Sequence, residues 1–169
     1  NKYINNILNV LSCYKNYNLI FTKANSDFGG KKINDSLRKF CRINSSYAYL
    51  FESLGQTVYL SALKYAEAII GNSSSGIIEA PSLNTPTINI GERQEGRTCS
   101  KSIIHSSYKS VEIKKSIDKV ISSKFKKKIK NYKNPYGDPG NISLKIKNVL
   151  KNIKINNFKK KIFFDIKLK

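Results

Sequence analysis

The sequence predicts an α/β fold built on a parallel, doubly wound sheet, and three of its features predict it. Short apolar runs read as buried strands. Between them lie stretches with apolar residues at helical spacing, and polar or glycine-rich corners stand where a strand would hand over to a helix. Strands alternating with helices in this way argue for a parallel sheet with helices packed on it. In such sheets ligands gather outside the carboxyl ends of the strands. With 169 residues, 40% of them hydrophobic, the chain can bury one sizeable core.

Taken in order, Ile4, Ile7, Leu8 and Leu11 recur at i, i+3, i+4 and i+7, so residues 3–16 read as an amphipathic helix. Residues 18–22 read as a buried strand and residues 25–30 as a polar loop. Residues 31–43 form a second helix with Ile33, Leu37 and Phe40 on one face. Residues 47–51 give a short strand, and residues 54–66 a third helix with Val58, Ala62 and Leu63 inward. A strand at 67–71 leads to a short helix at 77–82 and another strand at 85–90. The chain then turns irregular through Arg97, and Ile103 and Ile104 make a small strand. Residues 111–122 form a helix with Val111, Ile117, Val120 and Ile121 as core. Residues 125–133 are a basic connector. The last helix covers 141–153, with Ile142, Ile146, Val149 and Leu150 on its apolar side. Residues 154–169 are basic and weakly patterned, a frayed tail or an extra helix.

The stretch that carries most chemistry is Gly71 to Arg97, GNSSSGIIEAPSLNTPTINIGERQEGR. Small residues at a strand-to-helix corner let the backbone approach a ligand closely. First-turn N–H groups without intrahelical partners favour an anion there. Glu79 follows within about a turn. A carboxylate there would repel a phosphate but suits a neutral diol, such as a ribose lying beside the phosphates. Ordinary turn and cap chemistry accounts for the same residues without a ligand, and spacing alone does not choose between the two.

The net charge of +20 raises nucleic acid or an anionic membrane as a partner. Its distribution argues otherwise. Residues 1–110 carry 13 Lys and Arg against 7 Asp and Glu, a net of +6. Residues 111–169 carry 18 against 4, a net of +14. The excess therefore lies away from the corner and is mostly lysine. No nucleic-acid-binding motif accompanies it, so a solvated basic surface is the favoured reading. Cys13, Cys41 and Cys99 lack metal-ligand spacing and read as reduced thiols of a cytoplasmic protein; no metal or other cofactor is expected. His105 is the only histidine. No apolar run reaches the length of a membrane span. The first residue is Asn and not Met, so the sequence reads as a fragment or a processed piece.

The segment GNSSSGIIEAP with NTPTINIGERQEGR after it resembles the signature of the hydrolysing UDP-N-acetylglucosamine 2-epimerases of the sialic-acid pathway type. Two further echoes keep the family's order. Thr22-Lys23-Ala24-Asn25-Ser26-Asp27 matches an Asn-x-Asp segment after a strand, and Asn134-Pro135-Tyr136-Gly137-Asp138-Pro139-Gly140-Asn141 matches a turn before the last helix. The sequence departs from the pattern at Ala24, usually Pro, and at Pro139, an extra residue in the turn. The resemblance implies a Rossmann-like domain, one half of a GT-B-type two-domain enzyme. Residues 1–153 would be its UDP-binding C-terminal domain and residues 154–169 a basic tail.

On that resemblance Ser73 and Ser74 contact the nucleotide phosphates, Glu79 binds the ribose hydroxyls and Arg93 contacts the nucleotide. Asn25 is a further ligand contact, and Gly76 lets the backbone come close. Arg97 is left as an outer residue, and His105 has no counterpart. The implied reaction eliminates UDP to give a 2-acetamidoglucal, whose hydration releases N-acetylmannosamine. Its proton-transferring carboxylates and His would lie in an N-terminal domain and just before Asn1. No catalytic residue is therefore assigned here, and the chain alone should grip UDP without turning over UDP-N-acetylglucosamine. The partners implied are that nucleotide sugar and the N-terminal domain, with a homo-oligomer left open. Three competitors stay open: a UDP-diacetylbacillosamine 2-epimerase sharing every motif, a GT-B glycosyltransferase, and a non-enzymatic binder of nucleic acid or anionic membrane acting through the basic C-terminal part.

Overall fold

The computed structural model describes residues 2–25, 29–137 and 141–153. The chain divides into two compact units, Asn1–Tyr136 and Gly137–Lys169. The first contains α1 (Lys2–Leu11), β1 (Leu19–Thr22), α2 (Gly30–Ile43), β2 (Ala48–Phe51), α3 (Gly55–Tyr65), β3 (Ile69–Gly71) and α4 (Ser75–Ile78). A 3-10 turn (Ala80–Leu83), β4 (Thr87–Ile90), β5 (Ile103–Ser106), α5 (Ser110–Ile121) and α6 (Ser123–Ile129) complete it. The second contains α7 (Ile142–Asn152), none of whose residues is buried.

All strand pairings among the described residues are parallel, as the alternation of strands and helices predicts. The ladder runs in two pieces, β1–β2 and β3–β4–β5. Both pieces feed one core. Val10 and Leu11 of α1, Ile88 and Ile90 of β4, and Ile113, Ile117 and Val120 of α5 form a buried cluster; Leu19 and Phe21 of β1 and Ile70 of β3 pack against it. β1 and β3 are not hydrogen-bonded to each other.

Burial follows from this layering. All four residues of β4 are buried, because helices cover both faces of the sheet there. In β1 alternate residues turn inward and outward. Each fully buried Ile or Val of the core contributes roughly 1.5–3 kcal/mol from burial of its side chain, and Ile77, Ile88, Ile113 and Val120 are all fully inaccessible.

Several expectations are corrected. In α3 the inward side chains are Tyr59, Ala62 and Leu63, while Val58 is 58% exposed. Tyr59 and Leu63 lie four residues apart on the same helix face, whereas Val58 lies about 100° round the helix from Tyr59. In α5 the core positions are Ile113, Ile117 and Val120. Val111 points to solvent at 81% exposure because it sits in the first turn, outside the i, i+4, i+7 stripe. The connector expected at 125–133 is helical in its first part. Ser122 caps α6 by accepting from the Phe125 N–H at 3.3 Å, and Ile129 is buried at its end. The first helix ends at Leu11, five residues before its expected end. The tail 154–169 lies outside the described residues, as do residues 26–28 and 138–140.

Candidate functional site

The corner after β3 is shorter and tighter than the sequence suggests. The helix expected at 77–82 begins at Ser75 and holds α geometry only to Ile78. Pro81 has no N–H to continue the ladder, and its ring would meet the carbonyl four residues back, so the chain continues as the 3-10 turn Ala80–Leu83. Asn84 closes that turn in the left-handed region at φ 55°, its N–H donating back to Ala80 and Pro81. Early amides of α4 are already engaged: Gly76 N–H donates to the Ser73 carbonyl at 3.2 Å and Ile77 N–H to the Ser74 carbonyl at 3.0 Å. The free donors sit one step earlier. Among the described residues, the amides of Ser73 and Ser74 donate to no protein group.

Glu79 stands at the end of α4, half-buried. Ser75, one helical turn earlier, donates its hydroxyl to Glu79 Oε2. The Ser75 oxygen also lies 2.6 Å from the hydroxyl of Tyr59 on α3. Burial pushes the Tyr59 phenol above its ordinary pKa, the bond with Ser75 pulls it down, and the Glu79 charge raises it further. A buried hydroxyl of Thr85 donates to the Leu63 carbonyl at 2.7 Å and fastens the end of α3 to the loop just before β4.

Gly76 has a packing reason to be glycine. It is buried against β4, and a Cβ there would meet Thr87 Cγ2 at 2.8 Å. Thr87 Oγ1 donates to the Gly76 carbonyl at 2.7 Å, locking α4 on the sheet.

The loop after β4 docks on the corner through one backbone carbonyl. The Asn72 carbonyl accepts from Gln94 Nε2 at 2.8 Å and from Arg93 Nη1 at 3.4 Å. Gln94 is buried, while Arg93 is exposed and reaches across the corner. Neither Glu92 nor Glu95 forms an ion pair with Arg93. Beside this loop lies a cavity of about 530 Å³ lined by Asn89, Gln94, Arg97, His105 and Tyr108 among others. His105 Nδ1 is 3.2 Å from Asn89 Nδ2.

Asn25 stands on a different loop from this group. It follows β1, on the other piece of the ladder, exposed and without a hydrogen bond to the Ser73–Glu79 corner. Its loop is pinned by Asn34, which exchanges two hydrogen bonds with the backbone of Ala24. The approach is close enough that a Cβ on Gly30 would meet the Asn25 carbonyl oxygen at 2.0 Å. The later motif does reach the corner: Asn134 Nδ2 donates to the Ile78 carbonyl at 2.8 Å and to Ser82 Oγ at 2.6 Å. An orphan carbonyl at the end of α4 is thereby satisfied.

The fold thus gathers Ser73, Ser74, Gly76, Glu79 and Arg93 on one corner and leaves Asn25 on another loop. Tyr59, Ser75, Asn72, Gln94 and Asn134 are structural members of the corner that the sequence reading did not select. The Ser75–Glu79 spacing of one helical turn was a visible signal for one of them. Among the described residues no cluster of His, Cys, Asp and Glu could hold a metal ion, and no helix is long and apolar enough to cross a membrane. Free amides, a half-buried carboxylate and an arginine within one corner can bind a ligand that joins an anionic group to a diol.

Comparison with known proteins agrees with the fold. Residues 1–151 match the family model described as UDP-N-acetylglucosamine 2-epimerase. A Campylobacter jejuni GDP/UDP-N,N'-diacetylbacillosamine 2-epimerase (hydrolyzing) is 45% identical over 165 residues, covering 98% of this chain and 42% of that protein. A Neisseria meningitidis UDP-N-acetylglucosamine 2-epimerase is 37% identical over 105 residues, 62% of this chain and 27% of that protein. The crystal structure of Methanocaldococcus jannaschii UDP-GlcNAc 2-epimerase in complex with UDP-GlcNAc and UDP superposes with a TM-score of 0.64 at 21% identity, over 89% of this chain and 40% of that one. The chain therefore spans about two fifths of the length of the Campylobacter and archaeal proteins.

Proposed function

The chain belongs to the UDP-N-acetylglucosamine 2-epimerase family, and from that premise we propose that it is the nucleotide-gripping, Rossmann-like half of a hydrolysing UDP-sugar 2-epimerase of GT-B type. The observation that carries the reading is the corner itself, where the free amides of Ser73 and Ser74 and the Glu79 carboxylate share one short turn. In this reading Ser73 and Ser74 hold the phosphates through amide and hydroxyl donors, and Glu79 accepts from the ribose hydroxyls. Arg93, exposed beside Asn72, closes on the nucleotide with a guanidinium suited to phosphate oxygens. Asn25 contributes from the loop after β1. The role given to Gly76 is indirect, since its missing side chain lets α4 seat on β4.

The chemistry follows from the same division of labour. Elimination of UDP needs groups that take a proton from the sugar and stabilise the leaving diphosphate. The corner supplies the second of these functions. Besides Glu79, the described acidic residues near the corner are Glu92 and Glu95, both on the exposed loop. The proton-transferring groups belong in this reading to an N-terminal domain, so the chain alone binds UDP and does not turn over the sugar. The nucleotide domain covers residues 1–153, with 154–169 as its basic tail, and its three free thiols suit the cytoplasm. The 45% identity to the diacetylbacillosamine enzyme across nearly the whole chain supports a second reading, in which the sugar is UDP-diacetylbacillosamine.

Calorimetric titration with UDP tests the proposal. Saturable binding is expected, and Glu79→Ala should weaken it at least about tenfold, roughly 1.4 kcal/mol. A folded chain that shows no UDP binding would remove the claim that this half grips the nucleotide by itself.

A further inference from the structure

We propose that Tyr59 and Ser75 are positioning residues that fix the Glu79 carboxylate for a ribose, and so set how strongly the site separates ribonucleotides from 2′-deoxyribonucleotides. The proposal rests on the nucleotide reading above. It begins with the direction of two hydrogen bonds. An ionised carboxylate only accepts, so Ser75 directs its single proton to Glu79 Oε2. The Ser75 oxygen is then left to accept, which makes Tyr59 the donor across the 2.6 Å contact. One arrangement of protons satisfies all three groups. The raised pKa of the half-buried phenol keeps that donor protonated.

The chain of bonds joins two elements that are held independently. Ser75 and Glu79 lie four residues apart, so helix geometry stacks their side chains. Tyr59 comes from α3, whose end is tied through Thr85 to the loop just before β4 and whose Leu63 is buried. The orientation of the carboxylate is therefore set from a separate helix and not by its own rotamer alone. With Oε2 tethered, Oε1 and a second lone pair of Oε2 stay available to accept from the two adjacent hydroxyls of a ribose. A prearranged acceptor loses less freedom when it binds. It also leaves an acceptor unpaired when one hydroxyl is missing, and that mismatch is the source of discrimination.

The test titrates the 169-residue chain with UDP and with 2′-deoxyuridine 5′-diphosphate. It compares the wild type with Tyr59→Phe, Ser75→Ala, Ser75→Thr and the Tyr59→Phe/Ser75→Ala double variant, each checked for an unchanged melting profile. Ser75→Ala should weaken UDP binding about fivefold to tenfold while shifting the deoxy analogue no more than about twofold. Tyr59→Phe should move the ratio the same way by a smaller factor. Ser75→Thr keeps a hydroxyl and should restore the wild-type ratio. The double variant should lose no more than Ser75→Ala, because Tyr59 acts through Ser75. Wild-type binding with an unchanged ratio in Tyr59→Phe and Ser75→Ala would overturn the positioning role and leave the nucleotide reading intact. A wild-type chain that binds neither nucleotide would overturn both.

Discussion

In β4 the side chains of Thr87, Ile88, Asn89 and Ile90 are all buried, whereas in β1 Leu19 and Phe21 turn inward while Ile20 stands 54% exposed on the opposite face. Both are short, isoleucine-bearing strands of a parallel ladder. They differ in what covers them. Helices pack on both faces of the three-stranded piece, while the two-stranded piece has one apolar face turned outward, where Tyr49 and Phe51 of β2 join Ile20. Five of the six candidate ligand residues hang from the doubly covered half, and Asn25 hangs from the other. Backbone that must present amides and a carboxylate at fixed positions is best supported where packing restricts it most.

Breaking the doubly covered half should have the largest effect. Ile88→Ala opens a cavity in the core shared by α1, β4 and α5, and urea denaturation should show a loss of about 2–5 kcal/mol. A loss equal to that of Ile20→Ala would erase the distinction between the two halves. Gly76→Ala comes next. Its new methyl group must displace Thr87 Cγ2 from the same space, and overpacking of this kind costs about 1–3 kcal/mol. Because the strain falls on α4, UDP binding should weaken together with stability. Loss of stability with untouched UDP affinity would separate the packing of α4 from the presentation of Ser73 and Ser74.

Ile20→Ala, on the exposed face of β1, should change stability by no more than about 0.5 kcal/mol. A larger loss would mean that this face is covered in solution. The smallest effect belongs to the α1–α5 seam, where Asp118 accepts from Lys114 and from the Tyr14 hydroxyl at 2.6 Å. These bonds, with that of Lys114 the larger, hold the Asp118 carboxyl below its ordinary pKa. A depressed carboxylate pKa stabilises the fold above the unfolded pKa of about 3.9, and that contribution disappears as the pH falls through the folded value. The pair is exposed, so Asp118→Asn should remove only about 0.2 kcal/mol near neutral pH. It should also flatten the acid limb of a stability–pH profile. An acid limb identical to that of the wild type would show that the seam gains nothing from this ion pair.

Chain-local chemistry was legible because it leaves a local record. The 3.6-residue stripes gave α1, α2 and α5, apolar runs gave all five strands, and the Ser-rich corner with Glu79 stood out by composition alone. Local signals also misled where two helical phases were both apolar. Val58 and Tyr59 are adjacent, and only the corner packed against α3, where Tyr59 meets Ser75, decides which of them turns inward. In the same way the run at 125–133 looked like a basic connector until the cap from Ser122 and the buried Ile129 gave it a helix.

The sequence by itself determined the alternation of strands and helices, the corner, its carboxylate and the family. Each of these depends on residues close together in the chain or on a motif that can be read in order. Tertiary structure alone decided the partners of that corner. Tyr59 reaches Ser75 across 16 positions, Gln94 reaches the Asn72 carbonyl across 22, and Asn134 reaches the Ile78 carbonyl across 56. No period or propensity encodes such pairs. They form because burying Ile77, Ile88 and Leu63 fixes the backbone, and polar groups trapped beside that core must then find partners within it.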